Sequence, residues 1–198
     1  MIHLLGAGGH ASVVVDVAMR LGVLDITVWS ESEPRTGRFP AMICWRSLDQ
    51  LSPSTPVILA IGDIAKRAEL RRRFPNAPDP LIDPSVIVGS GVRIAAGTVI
   101  MPRCVINANA SIEEDVILNT GCIIEHDCVV GHNTHIAPSV SLGGTVRIGS
   151  DALVGTGAIV LPNVSVGSRA TVGAGAVVRE HVNEGKTVVG VPAREVKS

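Results

Sequence analysis

The stretch Leu118-Asn119-Thr120-Gly121-Cys122-Ile123-Ile124-Glu125-His126-Asp127-Cys128-Val129-Val130 advances in steps of six. Leu118, Ile124 and Val130 are aliphatic, and the residues four places after the first two, Cys122 and Cys128, are small. Extended both ways, the aliphatic register runs from Ile82 to Val178 without a gap, and all seventeen positions are Ile, Leu or Val. The second register, from Val86 to Val182, holds only small or β-branched residues. Glycine often follows the aliphatic, as at Gly131, Gly143 and Gly149.

A period of six fits neither an α-helix nor a stack of hairpins. It fits a coil of short parallel strands joined by sharp corners. The aliphatic and the small residue both turn inward and stack on their equivalents in the next coil. The glycines after the aliphatics are expected to supply positive φ at the corners. Composition agrees: hydrophobic residues make up 46% of the chain and aromatics only 2%. A narrow, repetitive core has no room for rings.

Residues 1–80 have another texture. Ile2–Leu5 reads as a strand, Gly6-Ala7-Gly8-Gly9-His10-Ala11 as a turn, and a helix follows to about Leu21. Further strands are expected at Asp25–Trp29 and Val57–Ile61, with a helix from about Ile64 to Phe74. This alternation argues a small Rossmann-like α/β domain with a parallel sheet. Gly6, Gly8 and Ala11 fit the spacing of a phosphate-binding turn, and fit a plain tight turn equally well. About 80 residues cannot build both halves of a dinucleotide fold, so a single diphosphate suits the size better than NAD. Glu31 and Glu33 either meet ligand hydroxyls or face water. Lys66, Arg67 and Arg71 to Arg73 read as the solvated face of a helix. The expected division is 1–80 for the α/β domain and 81–198 for the coil with its tail.

The formal net charge of −1 gives no footprint for nucleic acid. No apolar run is long enough for a membrane span, and no signal-peptide pattern opens the chain. Its four cysteines form no C-x-x-C pair, so a cytoplasmic, reduced setting and no metal are expected.

Three of the six histidines fall between Glu125 and His135. His126 stands at a corner, with Ala108 and Gly144 one coil below and above. An imidazole beside open space suits a general base; an exposed histidine making one backbone hydrogen bond is the equal alternative. Asp127 can reach the second ring nitrogen only if the chain turns between them.

The chain is similar, over essentially its whole length, to the hexapeptide-repeat acyltransferases. The resemblance lies with the sialic-acid O-acetyltransferase-like branch that includes the UDP-4-amino-sugar N-acetyltransferases of bacillosamine and perosamine synthesis. The residues that carry it are Gly6-Ala7-Gly8-Gly9-His10, Ile117-Leu118-Asn119-Thr120, Ile124 to Cys128, His135, Gly143-Gly144 and Val189-Gly190-Val191-Pro192-Ala193. It implies a left-handed parallel β-helix, acetyl-coenzyme A as co-substrate, a nucleotide-linked amino sugar as acceptor, and a homotrimer with sites between prisms. It implies that His126 is the base, Asp127 its activator and the Gly144 N–H the oxyanion donor. His135 resembles a residue that bonds the thioester or pantetheine region. Thr156 and Ala174, further up the same channel, match coenzyme-contacting positions. Gly8, Gly9, His10, Gly62 and Asn119, with Ser30 and Glu31 after the second strand, resemble the sugar-nucleotide contacts. Relatives often carry two acidic residues where this chain has Ser30-Glu31, which weakens the carry-over there. His132 receives no role. Other readings of the same coil are sugar O-acetylation, a zinc hydratase, and a non-catalytic solenoid that binds a nucleotide sugar.

Overall fold

The computed structural model describes residues 1–196. The chain opens with strand β1 (Ile2–Leu5), helix α1 (Gly9–Arg20) and strand β2 (Ile26–Ser30). Strand β3 (Cys44–Ser47), strand β4 (Ile58–Leu59) and helix α2 (Ile64–Arg73) complete the front unit. The four strands form one parallel sheet in the order β3-β2-β1-β4. Strand β3 escaped the sequence reading because Cys-Trp-Arg-Ser alternates between exposed and half-buried and shows no apolar period. All four aromatic side chains, Trp29, Phe39, Trp45 and Phe74, belong to this front unit.

From Leu81 onward the chain winds into a three-sided prism of two-residue strands. Residue Ile124 pairs with Ile106 below and Leu142 above, so one coil is 18 residues. The faces follow one another along the chain. Face one carries Ile117–Leu118, His135–Ile136 and their equivalents; face two carries Ile123–Ile124; face three carries Val129–Val130. The first corner, after Leu118, joins faces one and two, the second corner, after Ile124, joins faces two and three, and the third, after Val130, leads back to face one.

The aliphatic register fills the prism: Ile106, Leu118, Ile124, Ile136 and Leu142 are wholly buried. Burying such a side chain stabilises the fold by about 1.5–3 kcal/mol. The small register lies inside as well, and its polar members are satisfied there. Thr134 Oγ1 donates to the Gly149 carbonyl at 2.8 Å. Cys104 and Cys122 stack with their sulfurs 3.4 Å apart as free thiols.

The glycine expectation needs correction. Gly131, Gly143 and Gly149 are not the residues of positive φ; that conformation falls two residues later, at Asn109, Asp115, Asp127 and Asn133, among others. Asn and Asp tolerate the left-handed region by bonding locally. Gly131 is needed for close approach instead, since a Cβ there would lie 2.6 Å from the backbone nitrogen of Ser150 in the next coil.

The front unit lies against face one. Leu81, Val99 and Met101 of the prism share a buried cluster with Ala11, Val14 and Ala18 of α1. The basic run on α2 is only partly solvated, contrary to the sequence reading. Arg72 and Arg73 are exposed, but Arg67 is fully buried and Arg71 forms a two-pronged bond with the Asp115 carboxylate at 2.6 and 2.7 Å. The prism face offers buried polar corners that a helix, read alone, does not reveal.

Candidate active site

The corner at His126 turns because Asp127 adopts a φ of +60°. This brings the two adjacent side chains together, and His126 Nδ1 lies 2.7 Å from Asp127 Oδ2. The histidine holds the Asp127 carboxyl below its ordinary range, with help from Asn109. The ionised carboxylate accepts the Nδ1 proton and leaves a lone pair on Nε2. Directly above, the Thr145 N–H donates to the His126 carbonyl at 2.9 Å. A Cβ on Gly144 would lie 2.6 Å from His126 Nε2, so glycine is what leaves the ring its space. Among the described residues no acceptor takes the Gly144 N–H. The second corner thus sets a base lone pair beside a free backbone donor, the pair of groups that acyl transfer requires.

A second group forms where α1 and α2 meet face one. His135 projects outward beneath the front unit, and its Nε2 lies 3.2 Å from Asn119 Nδ2. The His10 ring stands 6.2 Å away, centroid to centroid, with its Nε2 buried and unpartnered. Burial first, then the positive charge of Arg67 and, for His10, its neighbour His135, push both rings down to about 4. Both are therefore neutral at physiological pH. Gly62 joins this group through its carbonyl, which accepts from Arg67 Nη1 at 3.1 Å.

A third group is a cleft of about 410 Å³ at the ends of β1 and β2. It is lined by Gly8, Ser30, Glu31, Arg35, Arg38 and Lys66, among others. Gly8 caps α1 without a side-chain bond and the first turn holds no acid, so the helix N-terminus is free for an anion. Gly9, the first residue of the helix, lies within reach of Arg38. Ser30 Oγ is already engaged by Trp45 Nε1 and the Ser32 carbonyl, and Glu31 pairs with Lys66 at 3.3 Å. Arg38 was missed by sequence reasoning; no local pattern on the loop after β2 marks it.

The expected site residues thus fall into separate places on one chain. His126, Asp127 and Gly144 share the second corner. Thr156 and Ala174 stand off that column; they are exposed residues of the first corner, on the column of Thr120 and Pro138. The six-residue step puts them there, because 144 and 156 differ by two-thirds of a coil. His126, His132 and His135 occupy the second corner, the third corner and face one, and no cluster of three metal-ligating side chains occurs among the described residues. No helix is long and apolar enough to cross a membrane.

A three-sided coil of hexapeptides with a histidine–aspartate pair at its corner defines the class of hexapeptide-repeat transferases. Comparison with known proteins agrees. Residues 109–144 and 145–180 match the bacterial transferase hexapeptide (six repeats) family, and residues 1–74 match the PglD N-terminal domain family. The acetyltransferase domain of PglB from Neisseria gonorrhoeae FA1090 is 30% identical with a TM-score of 0.89, the match covering 98% of both chains. A histidine-to-asparagine mutant of perosamine N-acetyltransferase from Caulobacter crescentus, in complex with CoA and GDP-perosamine, is 30% identical with a TM-score of 0.89. That match covers 100% of this chain and 97% of the other. WeeI from Acinetobacter baumannii AYE shares the fold at 22% identity and a TM-score of 0.72, over 99% of both chains. No curated protein matches the chain. The chain belongs to the hexapeptide-repeat acetyltransferases, in the branch that carries a PglD-type N-terminal domain.

Proposed function

We propose that this protein transfers an acetyl group from acetyl-coenzyme A to the amino group of a nucleotide-linked 4-amino sugar. The observation that carries the reading is the free Nε2 of His126 lying against Gly144. The sugar amine attacks the thioester carbonyl carbon and passes its proton to His126 Nε2. The new C–N bond forms, the tetrahedral oxygen meets the Gly144 N–H, and the C–S bond breaks. The departing thiolate takes the proton from His126. Asp127 holds the ring in the tautomer that can accept. General-base catalysis of this kind is worth about 10²–10⁴ in rate.

The cleft at Gly8, Gly9, Ser30 and Glu31 is the site for the nucleotide end, with His10, Gly62 and Asn119 toward the sugar. The helix N-terminus and the cations Arg35 and Arg38 suit a diphosphate. Thr156 and Ala174 are the coenzyme wall, with His135 set behind it and reaching the substrates through Asn119; the exposed corner at Thr156 and Ala174 leaves room for a pantetheine arm. The relatives solved with CoA and with GDP-perosamine support both substrate classes.

The base and this wall stand on opposite edges of face two, so a complete site needs a second prism. Face two presents Ile87, Ile123 and Ile159, exposed by 63%, 38% and 43%. Such an apolar stripe is the surface another copy covers, and a homotrimer gives three equal clefts. Free cysteines fit a reducing cytoplasm.

The test is thiol release from acetyl-coenzyme A with UDP-, GDP- and dTDP-linked 4-amino sugars, and with sialic acid as a hydroxyl acceptor. Turnover with one of the amino sugars is expected. Turnover with sialic acid alone would contradict N-acetylation, and binding without turnover would favour the non-catalytic reading.

A further inference from the structure

Arg67 is a fully buried guanidinium that touches no carboxylate. Nε donates to Asn133 Oδ1 at 2.9 Å, Nη2 to the Asn133 carbonyl at 2.6 Å, and Nη1 to the carbonyls of Ile61 and Gly62 at 3.2 and 3.1 Å. Burying a cation against neutral acceptors alone is costly. What the arrangement achieves is to tie the turn before α2 to the third corner of the prism. Asn133 holds the other side, donating to the Ile64 carbonyl at 3.1 Å and to Asp151 Oδ1 at 2.7 Å.

The Gly62 carbonyl fixed by this tie also lies beside the His135 ring. The state of that ring follows from its other neighbour. The Thr120 backbone N–H lies 2.8 Å from Asn119 Oδ1, and an N–H can only donate, so this end of the carboxamide is the oxygen. The amide nitrogen of Asn119 therefore faces His135 Nε2 and donates to it. Nε2 carries the lone pair, so the single proton of the neutral ring sits on Nδ1. Contacts thus run from Arg67 through Gly62 and His135 to Asn119, with hydrogen bonds at both ends. Asn119 is left with one unused amide N–H.

Resting on the transferase reading above, we infer that Arg67 and His135 are positioning residues that lock the Asn119 carboxamide so that it presents a donor to the bound substrates. The group it recognises is an acceptor oxygen, supplied by the sugar or by the acyl carbonyl. A freely rotating asparagine would accept either polarity; this one cannot turn without breaking its bond to Thr120 and confronting the His135 lone pair with an oxygen.

The test is the nitrogen-15 NMR spectrum of the full-length protein with labelled histidine at neutral pH, the His135 signals assigned by their loss in His135→Gln. A neutral ring protonated at Nδ1 is expected, and a ring protonated at Nε2 overturns the inference. This readout needs no turnover, so it stands or falls apart from the transferase assay. In that assay Asn119→Asp should raise KM about tenfold or more, the loss of one buried hydrogen bond to substrate. A rise confined to the sugar nucleotide assigns the oxygen to the sugar; a rise confined to acetyl-coenzyme A assigns it to the acyl group. Both KM values unchanged would overturn the inference. His135→Gln, which can both donate to Gly62 and accept from Asn119, should retain more activity than His135→Leu; equal loss in the two would count against positioning. Arg67→Lys should keep the fold and shift the His135 tautomer signals, and unaltered signals would remove Arg67 from this chain of contacts.

Discussion

His126 Nδ1 and Asp127 Oδ2 lie 2.7 Å apart although the two residues are adjacent in sequence. On a flat strand their side chains would point to opposite faces. The left-handed backbone of Asp127 redirects its carboxylate, and the six-residue winding then puts Gly144 above the ring. An imidazole, the carboxylate that orients it and a free N–H are thus products of one corner and one coil step.

Gly144→Ala should lower kcat about tenfold or more while leaving the thermal midpoint nearly unchanged. The added methyl would fall 2.6 Å from His126 Nε2 and must displace the ring, which is exposed and free to move. Misplacing a catalytic group by about 1 Å can cost about 10²-fold. Paired kcat and melting measurements check this; an unchanged kcat would place the reacting atoms elsewhere.

Arg71→Ala should destabilise the protein by about 3–5 kcal/mol, because it strands the buried Asp115 carboxylate at a corner of the prism. Urea unfolding provides the number. A loss under about 1 kcal/mol would mean the pair behaves as a surface ion pair.

Stability should fall on acidification well before the carboxylates titrate. His10 and His135 are held neutral with folded values of about 4, against 6.5 in the unfolded chain. Above the unfolded value the two states bind the same protons. Below it, the unfolded chain binds more, so stability is lost as pH falls toward 4. At pH 5 the loss is on the order of 2 kcal/mol per histidine. The urea midpoint at pH 5 should lie below that at pH 7.5, and His10→Asn should narrow the gap. Identical gaps in wild type and variant would contradict this assignment.

A site shared between copies predicts complementation. His126→Ala and a Gly9→Asp variant of the nucleotide loop should each be inactive alone. In the proposed homotrimer, with the base taken from one copy and the nucleotide loop from the next, random mixing should recover about a quarter of wild-type sites. Activity measured after co-expression or subunit exchange decides it, and no recovery would confine each site to a single chain.

The prism was legible in the sequence because its rule is local: an aliphatic every sixth residue, as from Leu118 to Ile124 to Val130, fixes what faces inward. The corner chemistry was partly legible. Gly144 falls one coil after His126 by counting, and the left-handed residues could have been found as the Asn, Asp and Gly three places after each aliphatic. Contacts between the front unit and face one were not legible. Arg67 and Arg71 sit in a run of helix cations, and only the prism's carbonyls and Asp115 reveal that two of them point inward. Strand β3 was hidden for a related reason, since an edge strand with one half-buried face leaves little periodic trace.

The most direct measurement compares wild-type protein with His126→Ala in two assays, single-turnover acetyl transfer to the nucleotide amino sugar and equilibrium binding of that sugar. The account predicts that the variant loses about 10²–10⁴ in transfer rate and keeps its affinity for the sugar. Transfer at the wild-type rate by His126→Ala would contradict it.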